Sequence, residues 1–527
     1  MTRRSPVAVA ALLLALAAPN QAPAQQTGRS SELSVERIMQ EPDAWVGSWP
    51  SDVRWHESGE WLYFDWNPKG KFPADSLYRV SRSGGEPVKV SAEERRSNPP
   101  FFDGWHHGEH VYTEDRSRKL YVSDGDLYLY DRDAGEKTRL TDTEPPESSP
   151  RFSVDGERVI YRRDDDLWAL DLSTGMRRQL TDLRPGEGEA EPDSTSQQTW
   201  LAEQQTRLFE VLRERKREEE RREEAREADR EADDPPPTHH YGDGNLEQLR
   251  LGPGERFVTF TVEEEPPEAE ATRVADYVNL SGYAEIEESR PKVGIPPEEF
   301  DLYVQDLERD TTYRVDLHQL PGAYELPEYL EERGVERDSA ERKRALYSYG
   351  PYWSPEGEHA VLVVRADDNK DRWIAALDPA SGDLTTLDRQ EDTAWIGGPG
   401  ISAYGGPGNV GWTPDGERFF FQSEASGWSH LYTVDPGTGE TEQLTSGDWE
   451  VSDARLDRDG SHWLLTSTEA TPHERHVYRM PAGGGERTRL TDEAGVYTAA
   501  PSPDGGRLGL LYEYTNRPPD VYLQDAR

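Results

Sequence analysis

The sequence predicts an all-β protein, an eight-bladed β-propeller with seven blades as the alternative count, carrying a long charged helical insertion. Three observations predict it. A turn phrase of the form Ser/Thr-Pro-Asp/Glu-Gly recurs along the chain and is followed each time by a β-rich run. A second strand and a Leu-Thr-Asp phrase then close the unit. The spacing of the units matches a four-stranded blade of about 40–50 residues.

In chain order, the first residues read as an address. Arg3 and Arg4 precede an apolar run from Val7 to Ala18, and Ala22-Pro23-Ala24 fits a small-x-small cleavage site. Residues 1–24 are therefore expected to be a signal peptide that delivers the rest to the periplasm or the exterior. The run is shorter than the roughly 20 residues a spanning helix needs, and no other segment approaches a membrane span. Residues 25–50 form an N-terminal segment, and the propeller is expected over 51–527.

The clearest turn copies are Trp412-Thr413-Pro414-Asp415-Gly416, Trp353-Ser354-Pro355-Glu356-Gly357, Phe152-Ser153-Val154-Asp155-Gly156 and Pro501-Ser502-Pro503-Asp504-Gly505. Weaker copies centre on Gly59, Gly108, Gly254 and Gly460. Proline presets φ at the turn entry, aspartate bonds to nearby backbone, and glycine takes the positive φ. Closing phrases stand at Leu140-Thr141-Asp142, Leu180-Thr181-Asp182, Leu444-Thr445-Ser446 and Leu490-Thr491-Asp492. Degenerate versions are Val88-Lys89-Val90, Tyr313-Arg314-Val315 and Thr386-Leu387-Asp388. The eighth unit runs through Val521-Tyr522-Leu523-Gln524 to Arg527 with no closing phrase. Either the N-terminal segment supplies its last strand or the sequence is a fragment cut inside its last blade; the fragment is the favoured expectation.

Two wide gaps hold insertions. At about 186–240 an amphipathic helix begins near Gln197, with Leu201, Leu208, Val211 and Leu212 on one side. It continues as a solvated stretch in which residues 213–234 carry 8 basic and 11 acidic side chains, until Pro235-Pro236-Pro237 ends it. The second insertion, about 263–300, is acidic and Pro-rich, and 321–346 reads as a short polar helix.

Composition excludes several functions. With 104 acidic against 60 basic residues the net charge is −44, which opposes nucleic acid as a partner. No cysteine is present, so disulfides, thiolate metal sites and a thiol nucleophile are out. No Gly-x-Ser-x-Gly elbow occurs; Gly400-Ile401-Ser402-Ala403-Tyr404 and Gly427-Trp428-Ser429-His430-Leu431 both fail at their last position. Ser429 and His430 are adjacent, which on a strand sends them to opposite faces. His473-Glu474-Arg475-His476 has the wrong spacing for a zinc helix, and Trp105-His106-His107-Gly108-Glu109-His110 sits on an expected blade turn. Asp457-Arg458-Asp459-Gly460 imitates half a calcium loop and reads as a hairpin turn. No catalytic residue, metal ligand or cofactor is assigned, and no substrate-binding residue either.

The stretch Ser423-Glu424-Ala425-Ser426-Gly427-Trp428-Ser429-His430-Leu431-Tyr432, continuing to Gln443-Leu444-Thr445-Ser446-Gly447-Asp448-Trp449-Glu450-Val451, resembles the propeller of the prolyl oligopeptidase family in its dipeptidyl-peptidase IV-like branch. Tyr514-Thr515-Asn516-Arg517-Pro518-Pro519-Asp520-Val521-Tyr522 resembles that family's last blade. Elsewhere the blades are equally similar to periplasmic TolB-type repeats. The resemblance implies a serine-type peptidase with an α/β-hydrolase domain beyond residue 527, a peptide substrate screened by the propeller, and no activity in this chain alone. In that branch an acidic helix grips the substrate amine. Trp200-Leu201-Ala202-Glu203-Gln204-Gln205 offers one glutamate where two acids are implied, so no amine-binding residue is carried over. The alternative is a stand-alone periplasmic scaffold that binds a protein or peptide.

Overall fold

The computed structural model describes residues 34–40, 47–68, 76–97, 110–113, 115–188, 200–201, 204, 214–215, 217–218, 221–222, 235–264, 270–291, 298–326, 328–334, 343–401 and 406–526. The leader expected at 1–24 lies outside the described residues, as does most of the histidine cluster at 105–110. The chain divides into two compact units, Met1–Trp49 with Trp66–Ser76, and Pro50–Asp65 with Leu77–Arg527. The helix Val35–Ile38 belongs to the first. The propeller belongs almost wholly to the second.

Eight antiparallel sheets follow one another in sequence, over residues 48–89, 110–139, 147–179, 245–314, 346–391, 411–443, 451–489 and 496–525, here blades 1 to 8. Among the described residues the first seven have four strands and the eighth has three. Each sheet buries both faces against its neighbours, which is why the second strands read as continuous apolar runs. Ala360–Ala366 of blade 5 is buried along its whole length. Its Leu362 and Val364 meet Leu302 and Val304 of blade 4, while Val361 and Val363 meet Phe419 and Phe421 of blade 6.

The tight turns are wired alike. In blade 6 the Thr413 hydroxyl donates to Asp415 Oδ1 at 2.6 Å and accepts from Arg418 N at 3.1 Å, while Gly416 N donates to Thr413 O at 2.8 Å. Gly416 has φ +71°. The proline of one turn then packs on the glycine of the next. A β-carbon on Gly357 would lie 3.1 Å from Pro253, one on Gly416 3.1 Å from Pro355, and one on Gly460 3.2 Å from Pro414. Blade 7 carries Arg458 in the proline position, and Gly505 of blade 8 correspondingly would meet nothing within 4 Å. Blade 3 carries Val154 there, and its free N–H donates to Glu255 of blade 4 at 3.0 Å.

Two of the weaker turn assignments need correction. Gly108 lies outside the described residues, and in blade 2 the turn is closed by Arg116 N donating to Thr113 O at 2.8 Å, with Arg116 at φ +57°. In blade 4 the left-handed residue is Glu255 at φ +56°, one position beyond Gly254. Neither has a glycine at the critical position, so the phrase could not reveal them.

The closing threonines explain their phrase. Thr141, Thr181, Thr445 and Thr491 are all buried. Their hydroxyls accept from Leu127 N, Leu167 N, Leu431 N and Val477 N at 2.8–3.1 Å. Each also bonds the side chain that opens the third strand, respectively Asp126, Asp166, His430 and His476. The threonine thus fastens the third strand to the chain leaving the blade. Thr181→Val is expected to cost about 1–3 kcal/mol, because a buried N–H and a carboxylate each lose a partner. A lower denaturation midpoint with restoration by Thr181→Ser checks it; an unchanged midpoint for the valine variant refutes it.

The insertions are partly described. Positions 200–201, 204, 214–215, 217–218 and 221–222 have helical backbone, and the rest of the expected charged helix lies outside the described residues. The acidic, Pro-rich insertion contains an element the sequence did not announce, a two-stranded hairpin of Ala271–Asp276 and Glu285–Pro291. Between blades 4 and 5 stand the 3-10 turn Leu317–Gln319 and the short helix Glu328–Glu332. No strand from the N-terminal segment joins blade 8 among the described residues.

Candidate functional site

Antiparallel order gives each blade two unlike edges. The first-to-second and third-to-fourth connections, all tight turns, leave one edge. The second-to-third connections and the links between blades leave the other. Every long excursion uses that second edge. The 182–242 excursion is zipped at its base by a parallel pair, Asp182–Arg184 against Thr238–His240, with Gly186 bridged to Gly242. The hairpin at 271–291 joins the second and third strands of blade 4 and exposes Tyr277, Val278, Leu280 and Tyr283. The links 316–345 and 392–410 leave the same edge. A site built by this fold belongs there, where loops vary over a rigid base.

The serine and histidine candidates are structural. Ser429 donates to Pro399 O at 2.6 Å and accepts from Gln422 Nε2 at 3.2 Å. His430 is fully buried between Thr445 Oγ1 and Gly447 O, each at 3.0 Å, and stands edge-on to Trp449. Burial holds its imidazole below the usual range, outweighing the Gly447 carbonyl that favours the proton. His476 bonds Thr491 and Glu474 instead of presenting a free nitrogen pair with His473. The Asp457 carboxylate accepts from Ser461 N and His462 N, as a hairpin requires. No cluster of three metal-ligating side chains occurs among the described residues.

Sequence reasoning missed two features of blade 5. The first is a pair of buried arginines. Arg372 is fully buried and donates to Gln390 Oε1 at 3.0 Å, Gln422 O at 2.9 Å and Pro407 O at 2.7 Å. Arg365 donates to Ile396 O at 3.0 Å and Ile401 O at 3.2 Å. Together they pin both roots of the Gly/Pro-rich link between blades 5 and 6. Burial pushes the Arg372 guanidinium down to about 10, with Arg365 adding to the effect, and raises the nearby Asp388 carboxyl. A charge inside an apolar run such as Val361 to Val364 and then Arg365 was the signal that could have found them.

The second is a cleft of about 300 Å³ lined by Glu325, Glu331, Arg344, Asp371, Arg389 and Glu391, among others. Its floor is an ion-pair chain. Asp371 accepts from Arg344 at 2.5 Å and from Arg389 at 2.9 Å. Arg344 also holds Asp368 at 2.7 Å, and Arg389 holds Glu325 and Glu391 at 2.8 Å each. Both guanidinium groups lie within 6.0 Å of the buried Trp373 ring, whose indole N–H donates to Pro321 O.

Comparison with known proteins agrees with this architecture. The family model for the dipeptidyl peptidase IV (DPP IV) N-terminal region matches residues 106–204 and 255–519, more than half of the chain. The probable dipeptidyl peptidase 4 of Aspergillus fumigatus is 33% identical over 175 residues, which cover 32% of this chain and 22% of that protein. The corresponding Neosartorya fischeri protein is 34% identical over 180 residues, covering 33% and 22%. The crystal structure of Porphyromonas gingivalis dipeptidyl peptidase 4 shares the fold, with a TM-score of 0.50 and 17% identity over 90% of this chain and 59% of that one. The chain thus spans only part of the length of these relatives. On the extent of that family match, the chain belongs to the dipeptidyl peptidase IV N-terminal region family.

Proposed function

We propose that this chain is the substrate-gating propeller of a secreted or periplasmic serine peptidase. It would serve proteolysis of short peptides when joined to an α/β-hydrolase domain. The carrying observation is the family membership, and the names of the fungal and bacterial relatives supply the activity. The structural employment of Ser429 and His430 supports the same reading, since the best nucleophile–base candidates are committed to blade packing. Eight sheets, each packed against its neighbours, form a stiff frame that admits a flexible peptide and rejects a folded protein. The strong negative charge would draw in a cationic peptide terminus.

The test compares two proteins on dipeptidyl p-nitroanilides. Residues 25–527 alone are expected to give no hydrolysis above background, whereas the chain extended by its downstream coding sequence hydrolyses the substrate. Hydrolysis by residues 25–527 alone, or a downstream sequence without a Gly-x-Ser-x-Gly domain, overturns the proposal. N-terminal sequencing of periplasmic material is expected to start at Gln25; an uncleaved Met1 in the membrane fraction refutes the secreted form.

A further inference from the structure

We infer that the blade 5 cleft is a binding site for a cationic side chain, arginine or lysine, of a peptide. The ligand class follows from which charges are spent. Arg344 and Arg389 are committed to Asp371, Asp368, Glu325 and Glu391. Lys370, at the same cleft, donates to the carbonyls of Thr393 and Ala394. Each cation lining the cleft, among the described residues, thus already holds an acceptor. The carboxylates outnumber these cations: Glu331, which lines the cleft from the helix Glu328–Glu332, has no ion-pair partner among the described residues. The Asp392 carboxylate, also lining it, accepts among the described residues only from the backbone N–H groups of Ala394 and Trp395.

Two further observations fit a guanidinium or ammonium. Tyr324, next to the lining residue Glu325, and Trp395, two residues beyond Thr393, are about half exposed; Tyr324 packs against His318 and still offers part of its ring to solvent, as Trp395 does at the other segment. Such faces attract a cation that has shed part of its water. The floor is also preorganised. The β-carbon missing from Gly322 would fall 2.0 Å from an Arg389 nitrogen, so the link beneath the cleft lies directly against the guanidinium. A ligand entering such a site orders few new groups, which keeps the cost of binding low.

That the cation arrives on a peptide rests on the reading of the chain as a peptidase propeller; the charge preference does not. The cleft lies on the insertion-bearing edge, in the blade's outer strands. It would therefore favour peptides that carry a basic residue.

The experiment titrates residues 25–527 with N-acetyl-arginine amide, N-acetyl-citrulline amide and the peptides acetyl-Gly-Gly-Arg-Gly-Gly-amide and its citrulline counterpart, at low ionic strength. Citrulline keeps the shape and removes the charge. Both arginine ligands are expected to bind at least about tenfold more tightly than their citrulline partners, the size of one charge-assisted pair. The exposed double change Glu331→Gln with Glu391→Gln, and separately Thr393→Lys, should each remove that preference while leaving the unfolding midpoint unchanged. Equal binding of arginine and citrulline ligands, or an intact preference in both variants, overturns the site. A preference for arginine amide but not for the arginine peptide overturns the peptide part alone. Hydrolysis by the extended protein is a separate readout, so loss of the cleft and loss of the peptidase reading are told apart.

Discussion

Arg372→Met is expected to lower the stability of the propeller by about 3 kcal/mol, one of the two largest effects of any single change discussed for this chain. Two terms oppose each other. Removing a buried guanidinium relieves the desolvation that burial imposes, a gain of several kcal/mol in principle. Yet the same guanidinium donates to Gln390 Oε1, Gln422 O and Pro407 O, and a stranded buried acceptor costs about 1–3 kcal/mol each. The loss wins because two of those acceptors have few substitutes. The Gln422 carbonyl belongs to a fully buried residue and would keep only the long bond from Gln390 Nε2 at 3.5 Å among the described residues. Pro407 cannot turn away without moving Gly408, whose missing β-carbon would sit 2.7 Å from Gly400 O. Arg372→Lys should recover only part of the loss, since one ammonium cannot reach all three acceptors in a planar fork. Hydrogen exchange localises the effect. Faster exchange at 396–401 and 406–410 with a lower midpoint is the expected result, and a midpoint equal to the parent protein's refutes it.

That arginine also marks where reading the sequence stopped. The ring was legible because a turn needing a positive φ usually writes itself as glycine, and because a strand buried on both faces writes itself as an apolar run. Both signals are local. Arg116 and Glu255 take the left-handed position without glycine, so blades 2 and 4 were placed by the wrong residues. The hairpin at 271–291 has no buried face, hence no alternation to read. The role of Thr181 depends on Asp166, fifteen residues away, and the phrase announced only its existence. The blade 5 cleft was invisible for a related reason. Glu325, Asp371 and Arg389 are charged residues in three separate segments, and nothing in their own neighbourhoods says that they meet. What the turns and apolar runs could supply was the frame; what charged side chains do on it required the packing.

The second large effect is expected at the joint between blades 8 and 1, where Trp55→Ala should cost about 3–5 kcal/mol. Among the described residues blade 8 has three strands and exchanges none with blade 1, so the contacts seen at this joint are made by side chains. Trp55 is the largest of them, 1% exposed, with its indole N–H on Ala500 O at 2.9 Å. Around it the joint repeats the contact made between interior blades. Pro503 lies on Gly59, where a β-carbon would be 3.6 Å away, and Leu62 fills the space left by Gly509. Arg82 bonds the Gly59 carbonyl and both oxygens of Asp504. The Arg82 and Ser502 hydrogen bonds hold the Asp504 carboxyl well below the ordinary carboxylate range. A depressed folded value stabilises the protein above the unfolded value of 3.8 and is lost as pH falls through the folded one, so the joint should survive mild acid. Trp463, equally buried within blade 7, is the control. Trp463→Ala should cost a similar amount, because both changes leave a cavity of the same origin. Only Trp55→Ala should speed hydrogen exchange in both Arg507–Tyr514 and the blade 1 residues 61–65 below the unfolding midpoint, since each interior joint is spanned by a link of the chain and, among the described residues, this one is not. If Trp463→Ala accelerates the same two segments equally, the joint is no weaker than any interior one, and a shared strand rather than side chains must be closing the ring.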